Sequence, residues 1–254
     1  MIDIHCHILS GLDDGPKDIT QSLHMAKIAV AEGITKIVAT PHFNQHYENE
    51  KKTIVQDVHR LNDALQENKI PLQILPGQEP RIYGEILEDY EQEKILTIND
   101  SGKYLFIELP SNHVPAYTES LLFDIQMKEI TPIIVHPERN QQIIENPDIL
   151  YNLVKKGALS QVTASSITGD LGKKIKKFSL QLVENQLTHF IASDAHNDTS
   201  RPFRLRAAYG AVQKEFGLDT VYLFQENAEI LVEGNNVYKE EPQRIKSKKF
   251  FGIF

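Results

Sequence analysis

The run Ile2-Asp3-Ile4-His5-Cys6-His7 decides how the rest of the chain reads. It has the length of a β-strand, it is apolar at its start, and it ends in two histidines separated by one residue. A strand repeats every two residues, so both rings fall on the same face. Six further runs of similar length follow: Lys36–His42, Gln73–Glu79, Tyr104–Leu109, Thr131–His136, Ser160–Ala164 and Phe190–His196. β-Branched residues enrich them, as in Ile37-Val38 and Ile133-Ile134-Val135. Most are continuously apolar rather than alternating, which suits parallel strands buried on both faces.

Helical patterns separate the runs. Asp18 followed by Gln21 reads as a capping box, with an apolar stripe of Leu23, Ala26 and Val30 ending near Gly33. Val55, Val58, Leu61 and Leu65 make a second stripe, and Leu121, Leu122 and Ile125 a third. Strand alternating with helix predicts a parallel α/β fold, and seven such units predict a (β/α) barrel rather than an open sheet. No repeat, low-complexity tract or Pro/Gly-rich linker divides the 254 residues, so the reading is one domain spanning 1–254.

The strand ends carry the chemistry. They read His5-Cys6-His7, Thr40-Pro41-His42, Gly77-Gln78-Glu79, Glu108, His136-Pro137-Glu138-Arg139 and Ser193-Asp194-Ala195-His196. In an α/β barrel the carboxyl ends of the strands share one mouth, so these residues are expected to meet there. Imidazole and carboxylate are the donors that hold zinc, manganese or iron. A carboxylate ending an apolar strand is costly to bury without such a partner, which points to Glu79 and Glu108 as ligands. Asp13-Asp14-Gly15-Pro16 reads as a turn leading into the first helix, with Asp14 as a further ligand. His24, His59 and His189 read as structural or solvated, and His46 and His113 as unassigned rim residues. Arg139 and Arg201 follow ligand-bearing strand ends and point to an anionic substrate, because arginine grips phosphate with two parallel donors.

Other chemistries are absent from the sequence. Cys6 has Leu12 where a cysteine phosphatase needs arginine, and it sits between two expected ligands as a small filler. There is no Gly-x-Ser-x-Gly, no Gly-x-Gly-x-x-Gly and no Walker A loop. A metal-activated water is left as the nucleophile. The net charge of −8 argues against a nucleic-acid partner. The single cysteine, with no secretory signal and no membrane-spanning stretch, predicts a cytoplasmic protein.

Taken together, His5-x-His7, Asp14, His42, Glu79, Glu108, His136 and Asp194-x-His196 resemble the polymerase and histidinol phosphatase (PHP) family along the whole chain. The start Met1-Ile2-Asp3-Ile4-His5-Cys6-His7-Ile8-Leu9, with His136-Pro137-Glu138-Arg139 and Ala192-Ser193-Asp194-Ala195-His196-Asn197, is similar to its bacterial manganese-dependent tyrosine-protein phosphatase branch, associated with capsule and exopolysaccharide loci. The resemblance implies a distorted seven-stranded barrel and three divalent ions, Mn2+ in that branch, although the donors also suit zinc or iron. It implies that His5, His7, Glu79 and Asp194 hold one ion. Glu79 would bridge to a second, held also by Glu108 and His136, and Asp14, His42 and His196 would hold the third. Arg139 and Arg201 match the phosphate-facing arginines. The implied partner is a phosphotyrosine protein, a bacterial tyrosine kinase or its substrates, and a homo-oligomer is compatible. Two rival readings stand beside this one: a small-molecule phosphomonoesterase such as a histidinol phosphatase, and a non-catalytic, metal-stabilised binding module. The stretch 244–254 is basic and then aromatic, and reads as a tail.

Overall fold

The computed structural model describes residues 1–246. Every pairing between its named strands is parallel, as the continuous apolar runs require. The strands are β1 (Ile2–Cys6), β2 (Lys36–Ala39), β3 (His42–Phe43), β4 (Gln73–Pro76), β5 (Glu79–Pro80), β6 (Tyr104–Glu108), β7 (Thr131–Val135), β8 (Leu159–Thr163) and β9 (Phe190–Ala192). They form three sheets, ordered β1-β2-β4, β3-β5 and β6-β7-β8-β9.

The seven expected runs thus become nine strands because two of them break. Lys36–His42 breaks at Thr40-Pro41, where proline has no N–H for a ladder. Gln73–Glu79 breaks at Gly77-Gln78. A Cβ on Gly77 would come within 2.6 Å of Val38 Cγ1, so the neighbouring chains approach there more closely than any side chain allows. The Gln78 side chain leaves the sheet, its amide donating to Asn49 O at 2.6 Å and its oxygen accepting from Leu96 N at 2.9 Å. Beyond each break a short second strand starts with a site residue, His42 in β3 and Glu79 in β5, and the two are paired in register. Single parallel bridges join the sheets, Cys6 with Ala195 and Arg81 with Glu108.

Helices cover the strands. Ile19–Ala31 starts at Asp18, whose carboxylate accepts from Gln21 N at 3.0 Å. Only this half of the expected capping box forms, since Gln21 Oε1 accepts from Lys17 N instead. This helix buries Ser22, Met25, Ala26 and Ala29, a face that shares Ala26 with the expected stripe but is rotated from it, with Leu23 and Val30 half-buried at its edge. Lys51–Glu67 buries Ile54, Val58, Leu61 and Leu65, and Thr118–Met127 buries Leu121, Leu122 and Ile125. The expected tail falls mostly outside the described residues. Its first residue, Arg244, pairs with Asp148 and lies over the Tyr151 ring at 4.2 Å.

Candidate metal centre

Each expected site residue lies at or just beyond the carboxyl end of a strand, or in the turn after β1. His5 is inside β1 and His7 follows it; Glu108 ends β6; His136 follows β7. Asp194 and His196 follow β9. Two of these positions leave the extended conformation abruptly, with φ of +36° at His136 and +52° at Asp194. Non-glycine residues held there store strain, a recurrent mark of functional sites. The turns redirect the chain so that both side chains enter one cluster.

Three overlapping groups of donor atoms result, each with atoms within 4.8 Å of one another: His5, His7 and Glu79; His42, Glu79 and Glu108; and His7, Asp14, His42 and His196. His136 Nε2 meets Glu79 Oε1 at 2.8 Å, and Asp194 Oδ1 lies 3.6 Å from His5 Nε2 and 3.5 Å from His7 Nε2. All nine expected ligands therefore adjoin one cluster. The remaining histidines stand apart. His24 pairs with Asp198 at the surface, His59 is exposed on its helix, and exposed His46 and His113 join none of the groups. His113 contacts its own neighbour Asn112.

The buried donors face a common interior that they do not satisfy among themselves. Asp13 accepts from His7 Nδ1 at 2.6 Å, and the Asp194 carbonyl accepts from His196 Nδ1 at 3.0 Å. In the neutral rings, protons on those nitrogens leave both Nε2 lone pairs turned inward. His196 Nε2, His42 Nδ1 and Glu79 Oε2 are buried without a hydrogen-bond partner, although the last two approach within 2.8 Å. His5 and His7 bring their Nε2 atoms to 3.3 Å. Lone pairs this crowded call for a cation between them, and imidazole with carboxylate is a donor set for first-row divalent ions.

The electrostatics agree. Burial resists charge on Glu79, yet the positive fields of His5 and His42 and the hydrogen bond from His136 hold its pKa well below the usual range. Asp194 is likewise buried, yet Arg139, His7, His5 and Arg201 keep it ionised. Burial also opposes charge on His7, but the Asp13 carboxylate and its hydrogen bond outweigh it and raise the pKa. Glu108 is pushed up to about 7, by burial and then by Glu79. His136 and His196 fall to about 4, chiefly by burial, then by the charges of Arg139 and His7 respectively. Burial, then Asp3 and Asp194, drives the Cys6 thiol well above its ordinary value, so it supplies no thiolate.

Both expected arginines reach the cluster. Arg139 Nη1 donates to Asp194 Oδ2 at 2.7 Å, and Arg201 Nη2 to both oxygens of Asp194 at 3.0 Å. Three participants were not among the expected site residues. Asp13 is one. Gln161 is another, with Oε1 at 2.9 Å from His5 Nδ1. The third is Arg81, whose guanidinium donates to both oxygens of Glu108, at 3.1 and 2.9 Å. Only for Arg81 was a signal available, an arginine two residues beyond Glu79, much as Arg139 lies three residues beyond His136. A cavity of about 180 Å3 lined by Glu108, Ser111, His136, Arg139 and Asn140 opens beside the cluster.

The chain is similar to known proteins along its whole length. The family described as capsular polysaccharide synthesis, CpsB/CapC, matches residues 1–233. The chain is 49% identical over 255 residues to the tyrosine-protein phosphatase YwqE of Bacillus subtilis, and 40% identical over 255 residues to the putative tyrosine-protein phosphatase CapC of Staphylococcus aureus, each covering 100% of both chains. Against the tyrosine-protein phosphatase CpsB of Streptococcus pneumoniae it is 31% identical over 223 residues, 85% of this chain and 91% of that protein. A crystal structure from work on YwqE of B. subtilis and CpsB of S. pneumoniae, described as unique metal-dependent tyrosine phosphatases, superposes with a TM-score of 0.95 at 48% identity, covering 97% of this chain and 100% of that one.

Proposed function

Since the chain belongs to the CpsB/CapC family of capsular polysaccharide synthesis, we propose that it is a metal-dependent protein-tyrosine phosphatase, a phosphomonoester hydrolase acting in capsule or exopolysaccharide regulation. The observation that carries this reading is the triple donor cluster with unpartnered buried nitrogens, flanked by two arginines on one carboxylate.

We assign His5, His7, Glu79 and Asp194 to a first ion, Glu79, Glu108 and His136 to a second, and Asp14, His42 and His196 to a third, with Mn2+ as the ion. The observed groupings support most of this scheme. They also bring His7 beside the third set and His42 beside Glu108. We read the three sheets as parts of one distorted seven-stranded, PHP-type barrel, supported by the Cys6–Ala195 and Arg81–Glu108 bridges that link them.

Divalent ions held there supply Lewis acidity and a water that ionises near neutral pH. Arg139 and Arg201 each spend one or two donors on Asp194 and keep others of the five for phosphoryl oxygens. Their charge offsets the negative charge that builds on those oxygens as water attacks phosphorus and the bond to the tyrosine oxygen breaks. The leaving phenolate, with an intrinsic pKa of about 10, departs with little help from an acid. Cys6 stays a protonated thiol, so no phosphocysteine forms.

A phosphotyrosine carried on a protein suits the open side of the site. Asp14 and Arg201 are partly exposed there, and a cavity of about 530 Å3 adjoins His196 and Gly15. The implied substrate is a bacterial tyrosine kinase or a protein it phosphorylates. No helix among the described residues is long and apolar enough to cross a membrane, which accords with action in the cytoplasm.

The test is phosphate release by chelator-stripped protein, with and without Mn2+, on a phosphotyrosine peptide and on histidinol phosphate. Mn2+-restored release from the peptide is the expected result. Release from histidinol phosphate alone would keep the centre and replace the substrate. Bound metal without release from either would leave a binding module.

A further inference from the structure

Asp13 and Asp14 are adjacent in sequence and opposite in surroundings. The Asp14 side chain is 46% exposed and faces the third donor group, whereas that of Asp13 is 1% exposed. Each oxygen of Asp13 is used inside the chain. Oδ2 accepts from His7 Nδ1 at 2.6 Å and from the His42 backbone N–H at 3.1 Å, and Oδ1 accepts from Gly15 N at 2.9 Å. One carboxylate therefore ties together the end of β1, the start of β3 and its own turn. Gly15 keeps the turn pressed against β1, since a Cβ there would lie 2.4 Å from the His7 carbonyl oxygen.

We propose that Asp13 is a positioning residue of the metal centre, which aims His7 and His42 into the group His7, Asp14, His42 and His196 and sets how tightly that group holds a divalent ion. A carboxylate behind a ligand imidazole fixes the tautomer, orients the ring and makes the inner nitrogen a stronger donor. Among the described residues, His7 is the imidazole whose Nδ1 is hydrogen-bonded to a carboxylate outside the expected ligand set. His5 meets the neutral Gln161 amide and His196 a backbone carbonyl. His7 also belongs to two of the three donor groups, so a shift of its ring is felt in both. The bond to His42 N–H gives the same oxygen a hold on a second ligand through the backbone.

This inference rests on the metal-centre reading, and its test reads metal binding rather than turnover. Chelator-stripped wild type, Asp13→Asn and Asp13→Ala are titrated with Mn2+, following free Mn2+ by electron paramagnetic resonance. Melting is recorded with and without the ion. Asparagine keeps the size and one acceptor but loses the charge. Asp13→Asn is expected to melt close to wild type when metal-free. Its weakest Mn2+ site should lose roughly 10- to 100-fold in affinity, with a smaller rise in Tm on loading, and Asp13→Ala should lose more. In the Zn2+-loaded protein, nitrogen-15 shifts of the His7 ring should report a single Nδ1–H tautomer in wild type and a mixture in Asp13→Ala. Wild-type Mn2+ affinity in Asp13→Asn would overturn the proposal. So would an equal loss of Tm with and without metal at unchanged affinity, since that assigns Asp13 to the turn alone. If wild type itself takes up no ion, the metal centre fails first and this inference falls with it.

Discussion

The same strands bury titratable groups at two levels, and the two sets are treated differently. Away from the mouth, His189 precedes β9 and Asp3 lies early in β1. Both have dedicated partners. His189 Nδ1 accepts from Ser160 N at 3.2 Å, and Asp3 accepts from Ser193 N at 2.9 Å and from its hydroxyl. Burial, then the Lys239 charge, pushes His189 down to about 3, so it stays neutral, and burial pushes Asp3 up to about 6, so it keeps its proton to a higher pH than a free carboxyl. At the mouth, Glu79 and Asp194 are as deeply buried yet stay charged, and buried nitrogens face one another unsatisfied. A buried ionisable residue is thus no mark of function by itself. The mark is several of them sharing one interior with too few protons to go round.

Three measurements sharpen or break that contrast. The largest effect is expected from Arg139→Ala, which removes a donor from the phosphoryl group. We expect kcat/KM for a phosphotyrosine peptide to fall roughly 10²- to 10³-fold with metal content unchanged. Equal losses of metal and activity would place Arg139 with the ligands. Next is Asp3→Asn. Asp3 is protonated in both states below its unfolded pKa of 3.8, and its contribution to stability is fully present there. As pH rises toward about 6, the unfolded chain gives up the proton while the folded one retains it, so that contribution is lost. The variant has no such loss. Between pH 4 and 6 its stability should therefore gain on wild type by up to about 3 kcal/mol, read from urea unfolding across pH; parallel curves would refute the assignment. The smallest effect is His189→Ala. It strands the Ser160 N–H and should cost roughly 1–3 kcal/mol of stability while Mn2+ affinity stays at the wild-type value. A drop in that affinity would erase the distinction between the two levels.

How much of this could be read in the sequence follows from the same contrast. The expected ligands other than Asp14 were legible because they end apolar runs, and parallel topology brings such ends together whatever the exact pairing. The breaks at Thr40-Pro41 and Gly77-Gln78 were not resolved, because a run of β-formers does not disclose where two backbones crowd. The face of the helix Ile19–Ala31 was placed too far toward Leu23 and Val30 because the small residues Ser22 and Ala29 join Met25 and the expected Ala26 against the core. Which donors group together depends on distances across strands. That is why His7 and His42 each serve two groups. Asp13, Gln161 and Arg81 act through partners 6, 156 and 27 residues away in sequence, and no local spacing announces such a pairing.

The edge between β1 and the end of β9 has a consequence for how the protein is made. Ser193 donates to Asp3 across 190 residues, and His7 N donates to the Ala195 carbonyl at 2.9 Å. β1 therefore waits for β9 and the turn after it before this edge is covered. Closing so long a loop adds little to the entropic cost at equilibrium but makes the step late in folding. A nascent or truncated chain that stops at Ala192 lacks Asp194, His196 and Arg201 together. Such a chain is expected to hold less metal and to lack activity.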